Sequence, residues 1–272
     1  MLAYHGSQSL KNKLLTQIEI HRKADAIVAG TYGKLNGQWK GCAVGCSVRS
    51  LDIIDGKLGD CINNAWAENI HQRLSERMGI PLELARLEDT IFEGLPESGP
   101  KGKVRAHWPT QFAYAINPGA DLTLVWPKFA VRMLKRCVGY AGSNERSVTA
   151  INGVIALFER RIAGGVVTLA EWQTARVYAA AAAHAAAHAA AAHAAAHAAA
   201  AYAAYAADAA DAAADAAAHA AAAYAAAAYA AYAADAAAAY AADAADAADA
   251  AARKHEFARM ADDLLELLRE SK

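Results

Sequence analysis

Gly41-Cys42-Ala43-Val44-Gly45-Cys46 places two thiols four residues apart in a glycine-rich turn that follows Lys40. A thiol attacks only as its thiolate, which a neighbouring cation or a helix N-terminus favours. His71 offers an imidazole to take the proton, and Glu88 or Asp89 offers a carboxylate to orient it, so the residue types of a cysteine, histidine and acid site are present. In that reading Cys42 or Cys46 is the nucleophile and His71 the base. The same stretch supports metal binding by Cys42, Cys46, Cys61 and His71, although Cys-x-x-x-Cys lacks the second close pair of a zinc pattern. A third reading needs no chemistry: small residues pack a tight turn, and the thiols are inert.

The second reactive group is imidazole. His184 and His188, then His193 and His197, are spaced i, i+4, so on a helix each pair stacks on one face and can chelate zinc, nickel or copper. The pairs begin nine residues apart, which is about half a turn out of phase on an α-helix. A four-histidine site therefore needs a second helix or a second subunit. No phosphate-cradling glycine loop, nucleophile elbow or metalloprotease helix accompanies these groups.

These histidines belong to an unusual segment. From Tyr178 to Ala252 the chain uses only Ala, His, Tyr and Asp. Alanine has the highest helix propensity, and the segment contains no Gly or Pro to stop a helix, so helix is predicted throughout. Unbroken, the helix would reach on the order of 110 Å. Steps of three, as in Tyr202, Tyr205, Asp208 and Asp211, fall about 60° short of a full turn, so the decorated stripe winds around the helix and marks no fixed polar face. Fold-back through alanine seams is predicted in preference to a bare rod, because a rod leaves its methyls exposed. The codons of His, Tyr and Asp differ by one base, so drift within a GC-rich repeat is a mundane origin for the pattern.

The elements that would position the cysteine set lie upstream. Ser9 can cap a helix through roughly Gly30, Gly33–Gly45 reads as a loop or short hairpin carrying Trp39, and Ala43–Val48 as a short strand. Helices are predicted for Asp60 to Met78, ended by Gly79, and for Leu82 to Gly94, with Leu84, Leu87, Ile91 and Phe92 as its apolar stripe. Trp108-Pro109 opens a helix to Ile116, and Asn117-Pro118-Gly119 makes a turn. A further segment through Cys137 starts at, or is interrupted by, Pro127. Glu145 to Ile162 reads as a helix stopped by Gly164-Gly165, and Thr168 with Glu171 forms a capping box for the helix that enters the alanine segment. Phe257, Met260, Leu264, Leu267 and Leu268 form a last apolar stripe in search of a partner. The fold class is therefore mainly α: an N-terminal helical globule, residues 1–165, followed by an alanine-rich helical region, 166–272, with a C-terminal amphipathic helix.

Charge narrows the partners. The alanine segment holds seven aspartates and no Lys or Arg, while residues 1–177 hold 22 Lys and Arg against 16 Asp and Glu. Nothing in the segment neutralises phosphate, so nucleic-acid binding through it is not expected. A carboxylate or imidazole every few residues argues against membrane insertion. Met1–Ser9 has no apolar run of the secretory type, which points to the cytoplasm, where four cysteines are free thiols more often than a disulfide framework.

Several stretches resemble a family of uncharacterised alanine-rich repeat proteins of phage, prophage and environmental sequences. They are the GCAVGC turn, Gly79-Ile80-Pro81, the run Leu84-Ala85-Arg86-Leu87-Glu88-Asp89-Thr90-Ile91-Phe92-Glu93-Gly94-Leu95, Trp108-Pro109, Phe112, and Gly119-Ala120-Asp121-Leu122. The resemblance implies triplet-like alanine repeats ending in a short leucine-rich helix and carries no activity. This chain departs from the pattern by lacking Arg and Ser in its repeats. A phage setting would imply a role against host machinery in the host cytoplasm. The leading expectation is a non-enzymatic interaction or scaffolding protein, homo-oligomeric, with an unidentified protein partner and no cofactor. The rivals are a cysteine-dependent enzyme using Cys42 or Cys46 with His71 and Glu88, and a zinc-binding protein using His184, His188, His193 and His197.

Overall fold

A computed structural model describes residues 2–36, 38–57, 69–97, 104–141, 145–188 and 246–272. Among these residues the chain is mainly α-helical, as the sequence predicts. In chain order the elements are α1 (Gln8–Lys23), β1 (Lys34–Asn36), β2 (Gln38–Lys40), α2 (Ala43–Ile54), α3 (Ile70–Met78), α4 (Leu82–Gly94), α5 (Trp108–Ala115), α6 (Val125–Ala141), α7 (Glu145–Ile162), α8 (Leu169–His188) and α9 (Asp246–Glu270). Short 3-10 turns at Ala3–Gly6 and Arg105–His107 precede α1 and α5. Fold-back of the alanine helices falls on residues 189–245, outside the described residues, as do Cys61, His193 and His197.

The described residues divide into two compact units, Met1–Val125 with Lys254–Lys272, and Trp126–Arg253. The Gly164-Gly165 break, expected to separate 1–165 from 166–272, is the turn between α7 and α8 inside the second unit. Those two helices pack through Phe158 and Trp172, whose buried rings lie 5.1 Å apart.

In the first unit α1 starts two residues earlier than predicted, because the Ser7 hydroxyl, not that of Ser9, accepts the Leu10 N–H at 3.1 Å. The helix also stops at Lys23 instead of near Gly30. Asp25 turns left-handed at φ 51°, and Ala26–Thr31 leaves as an extended strap. The strap's backbone bonds go across the chain: Val28 N–H donates to Gly41 O at 2.8 Å, Gly41 N–H to Ala26 O at 2.9 Å, and Cys42 N–H to Thr31 O at 2.6 Å. Amides satisfied in this way are lost to the helix ladder.

Ala43–Val48, expected as a strand, is the first half of α2. A short apolar run has no decisive period, and here its burial is all-round: Ala43, Val44, Cys46 and Val48 are all enclosed. The hairpin expected around Trp39 does form, with Leu35 paired to Trp39. On α3, Ile70, Leu74 and Met78 repeat at i, i+4 and i+8 and are buried, and α4 buries its predicted stripe. The arginines of α3 are tied to α2, with Arg73 and Arg77 both on the buried Asp52 carboxylate.

The C-terminal stripe finds its partner within the first unit. Phe257, Met260, Leu264, Leu267 and Leu268 are all buried, and the Phe257 ring lies so close to Gly94 that a Cβ there would sit 2.3 Å from it. Asp121 N–H donates to Lys272 O at 2.9 Å, which fixes the end of the chain.

Candidate functional site

The strap, α2, α3 and α4 converge on Cys42. This residue is the N-cap of α2, in extended backbone, and its thiol accepts the Gly45 N–H at 3.5 Å. Gly45 is required by the strap crossing above it, since a Cβ would lie 1.8 Å from Tyr32 O. From α4 come Asp89 and Glu93, one helical turn apart and therefore on one face. Cys42 Sγ, a carboxylate oxygen of Asp89 and one of Glu93 all lie within 4.8 Å of one another. Asp89 Oδ2 is 3.1 Å from His71 Nε2 of α3, while Asp89 Oδ1 is buried with no hydrogen-bond partner. Both Glu93 oxygens accept the Gly30 N–H, at 3.0 and 3.2 Å. The Tyr32 ring stands edge-on to His71 at 5.6 Å.

Electrostatics at this corner favour neutral thiols. Burial pushes the Cys42 thiol up and the charge of Asp89 pushes it further, which outweighs the Gly45 N–H. Burial also raises Cys46, followed by the charge of Glu88. The help expected from a helix N-terminus is thus overridden by desolvation. Partial desolvation raises Glu93 as well, against the pull of Gly30 N–H.

Of the predicted catalytic set, His71 meets Asp89, and its Nε2 is held by that carboxylate. The imidazole that touches a thiol is His21, with Nδ1 3.1 Å from Cys46 Sγ and 3.4 Å from Ser50 Oγ. Both residues are buried, and burial, followed by the charge of Arg49, pushes His21 down to about 4. A neutral imidazole facing a neutral thiol, closed off from solvent, is packing and not an activated pair. Glu88 is fully buried. Its Oε1 accepts from Ser47 Oγ at 3.2 Å, its Oε2 has no partner, and burial, followed by Asp89, pushes it up to about 8.

Two residues of this region were not anticipated from sequence. His21 was signalled by its place in the α1 stripe, since Leu14, Ile18 and His21 recur at i, i+4 and i+7 and are all buried. Glu93 sits one turn after Asp89, a spacing that reads equally well as a solvated helix face. Elsewhere, α8 extends through His184 and His188, which places that pair one turn apart as predicted. A groove of about 480 Å³ runs between α7 and α8, lined by Thr149, Gly153, Leu157, Ala170, Thr174 and Tyr178.

Compared with protein-family models, with curated proteins and with solved structures, the chain matches none. What the Cys42 corner can do is therefore read from its own geometry. It joins one sulfur to two carboxylates and holds one of those carboxylates with an imidazole, a donor set suited to a cation more than to nucleophilic attack. Among the described residues no helix is long and apolar enough to cross a membrane.

Proposed function

We propose that this is a non-enzymatic interaction protein, a helical body that presents the alanine-rich segment to a protein partner, the first such partner being a second copy of the chain. The observation that carries this reading is the course of α8. From the buried Trp172 it runs to His188 with Val177 and Tyr178 exposed, and the sequence then continues to Ala252 as alanine interspersed with His, Tyr and Asp. Large exposed apolar side chains leading into a methyl-covered segment suit packing against another surface better than solvation. Charge supports the choice of partner. The segment holds aspartates without a cation, residues 1–177 carry an excess of Lys and Arg, and copies can pair segment to body. The closed thiols of Cys42 and Cys46 favour a non-enzymatic role over a cysteine enzyme. If the phage resemblance holds, a basic host protein is the second partner.

Sedimentation of the full chain tests this. The expected result is a concentration-dependent oligomer that dissociates as salt rises, because exposed charges are screened, and a monomer once residues 189–245 are deleted. A full chain that stays monomeric at high concentration and low salt removes the self-association reading.

A further inference from the structure

We propose that Cys42, Asp89 and Glu93 are the ligands of a divalent transition metal of the zinc class, with His71 as the positioning residue for Asp89. The donor set selects the ion. Zinc accepts a thiolate and carboxylates together, whereas calcium and magnesium take oxygen ligands alone and softer copper(I) prefers sulfur. The spacing fits. Zn–S near 2.3 Å and Zn–O near 2.0–2.2 Å give ligand-to-ligand edges of about 3.5 Å. The three ligand atoms already lie within 4.8 Å of one another, so side-chain rotation of about an ångström closes the shell.

Independent features of the corner point to a cation. Asp89 Oδ1 is buried with no partner in hydrogen-bond geometry, its other oxygen is held by His71, and the carboxylate acts on the Cys42 thiol beside it. Orphaned buried oxygens are uncommon, and a metal is one of the groups that satisfies them. The imidazole on a ligating carboxylate is the outer partner that metal sites use to fix a ligand's orientation. Glu93 is oriented in the same way by Gly30 N–H. Arg105 is a cation that acts on Glu93, and its guanidinium donates to Phe92 O, to Glu93 O and to the Glu97 carboxylate. Two carboxylates therefore face each other beside the Cys42 thiol while that guanidinium makes its hydrogen bonds to other oxygens, and a dication supplies charge between them. Cys42 is enclosed while Glu93 is exposed, so the ion enters from the Glu93 side. Three protein ligands leave one tetrahedral position for water. Binding releases the Cys42 proton, because the metal ligates the thiolate.

Cobalt(II) titration of the full chain, purified without an affinity tag and kept in a thiol-free reductant, tests the assignment. The histidines of the alanine segment can also take up metal, but that segment has no cysteine, so a thiolate-to-cobalt charge-transfer band reports a site built on one of the four cysteines, and their substitution tells which. The expected result is one equivalent of band-forming cobalt, displaced by zinc. Cys42→Ser abolishes the band, Cys46→Ser, Cys61→Ser and Cys137→Ser keep it, and Glu93→Gln raises the cobalt dissociation constant at least about tenfold. Absence of the band in the wild type, or a band that survives Cys42→Ser, overturns the proposal. Glu93 is exposed, so Glu93→Gln keeps the helical circular dichroism of the parent, and unchanged cobalt affinity in that folded variant overturns it equally. His71→Ala weakens binding with the band retained. A loss of helical signal in the same variant would assign His71 to the fold instead.

Discussion

The two compact units handle polar groups in opposite ways. In Met1–Val125 with Lys254–Lys272, the side chains of Lys11, His21, Asp52 and Glu88 are buried together with Ser47, Ser50, Ser75 and Thr90. In Trp126–Arg253 the buried polar residue among those described is Ser147, and the ion pairs Lys135–Glu159 and Arg160–Glu171 lie at the surface. Buried ionisable groups are stable only with partners. Lys11 finds two carbonyls, Tyr114 O and Ile116 O, each at 2.8 Å, and Asp52 finds Arg73 and Arg77. Glu88 finds one partner for two oxygens. The second unit avoids the problem, with an apolar helix pair closed by Phe158 and Trp172. Among the described residues, the buried ionisable side chains belong to the first unit.

The sharpest way to break this contrast is to remove a buried charge. Asp52→Ala removes the buried carboxylate that Arg73 and Arg77 share, although Arg77 keeps Asp55, and the expected loss is about 3 kcal/mol in urea denaturation. Glu159→Ala, at the exposed pair of the second unit, is expected to lose about 0–1 kcal/mol. Similar losses at the two sites would mean that burial makes no difference to these pairs.

The next effect depends on pH. His21 is held near 4 in the fold against about 6.5 when unfolded, so its contribution is intact above pH 6.5 and is lost as pH falls toward 4. Glu88 is held near 8 against 4.5, so the fold is favoured below pH 4.5 and loses stability as pH rises through 8. Between 4.5 and 6.5 the two slopes oppose each other. Glu88→Gln keeps an oxygen for Ser47 and removes the alkaline arm. The variant is expected to match the wild type near pH 4.5 and to exceed it by about 2–4 kcal/mol at pH 8. An equal difference at both values would place Glu88 in a polar setting after all.

Thiol reactivity gives a smaller, kinetic contrast. Cys42 and Cys46 are enclosed in the first unit, and Cys137 in the second is half-buried. In a Cys61→Ser background iodoacetamide is expected to label Cys137 first, with the other two at least about tenfold slower, because thiolate fraction and access both govern the rate. Faster labelling of Cys42 would restore the cysteine-enzyme reading, and added zinc should slow it further if the metal site is present.

The same contrast explains what could be read from sequence. The α7–α8 pair was legible because its signals are local: an amphipathic period over Glu145–Ile162, a double glycine, and a Thr-x-x-Glu box. The α4 boundaries were legible for the same reason. The Cys42 corner was legible only in part. Cys42, His71 and Asp89 were recognised as reactive types, but which of them meet is decided by the strap Ala26–Thr31. Its partner, Gly41, lies more than ten residues away, and no local period reports such a pairing. Taking Ala43–Val48 for a strand had the same cause, since the choice between strand and helix was made by tertiary burial and by Cys42 as N-cap. His21 was overlooked because a lone histidine on an apolar stripe carries no signal of the thiol 25 residues on.

The smallest effect is the one with the most complete local geometry. Thr168 N–H donates to Glu171 Oε2 at 2.8 Å, and Glu171 N–H returns to Thr168 Oγ1 at 3.3 Å, so two free donors at the start of α8 are satisfied reciprocally. The Arg160 guanidinium, followed by the Thr168 N–H, pulls the Glu171 carboxyl down to about 2. Its contribution is therefore present above pH 4.5 and is lost as pH falls toward 2. Thr168→Ala is expected to lose about 1 kcal/mol, concentrated in faster amide exchange over the first turn of α8 and leaving the first unit's exchange unchanged. If exchange in the first unit rises as well, the two units unfold as one, and the contrast between them describes packing without describing independent stability.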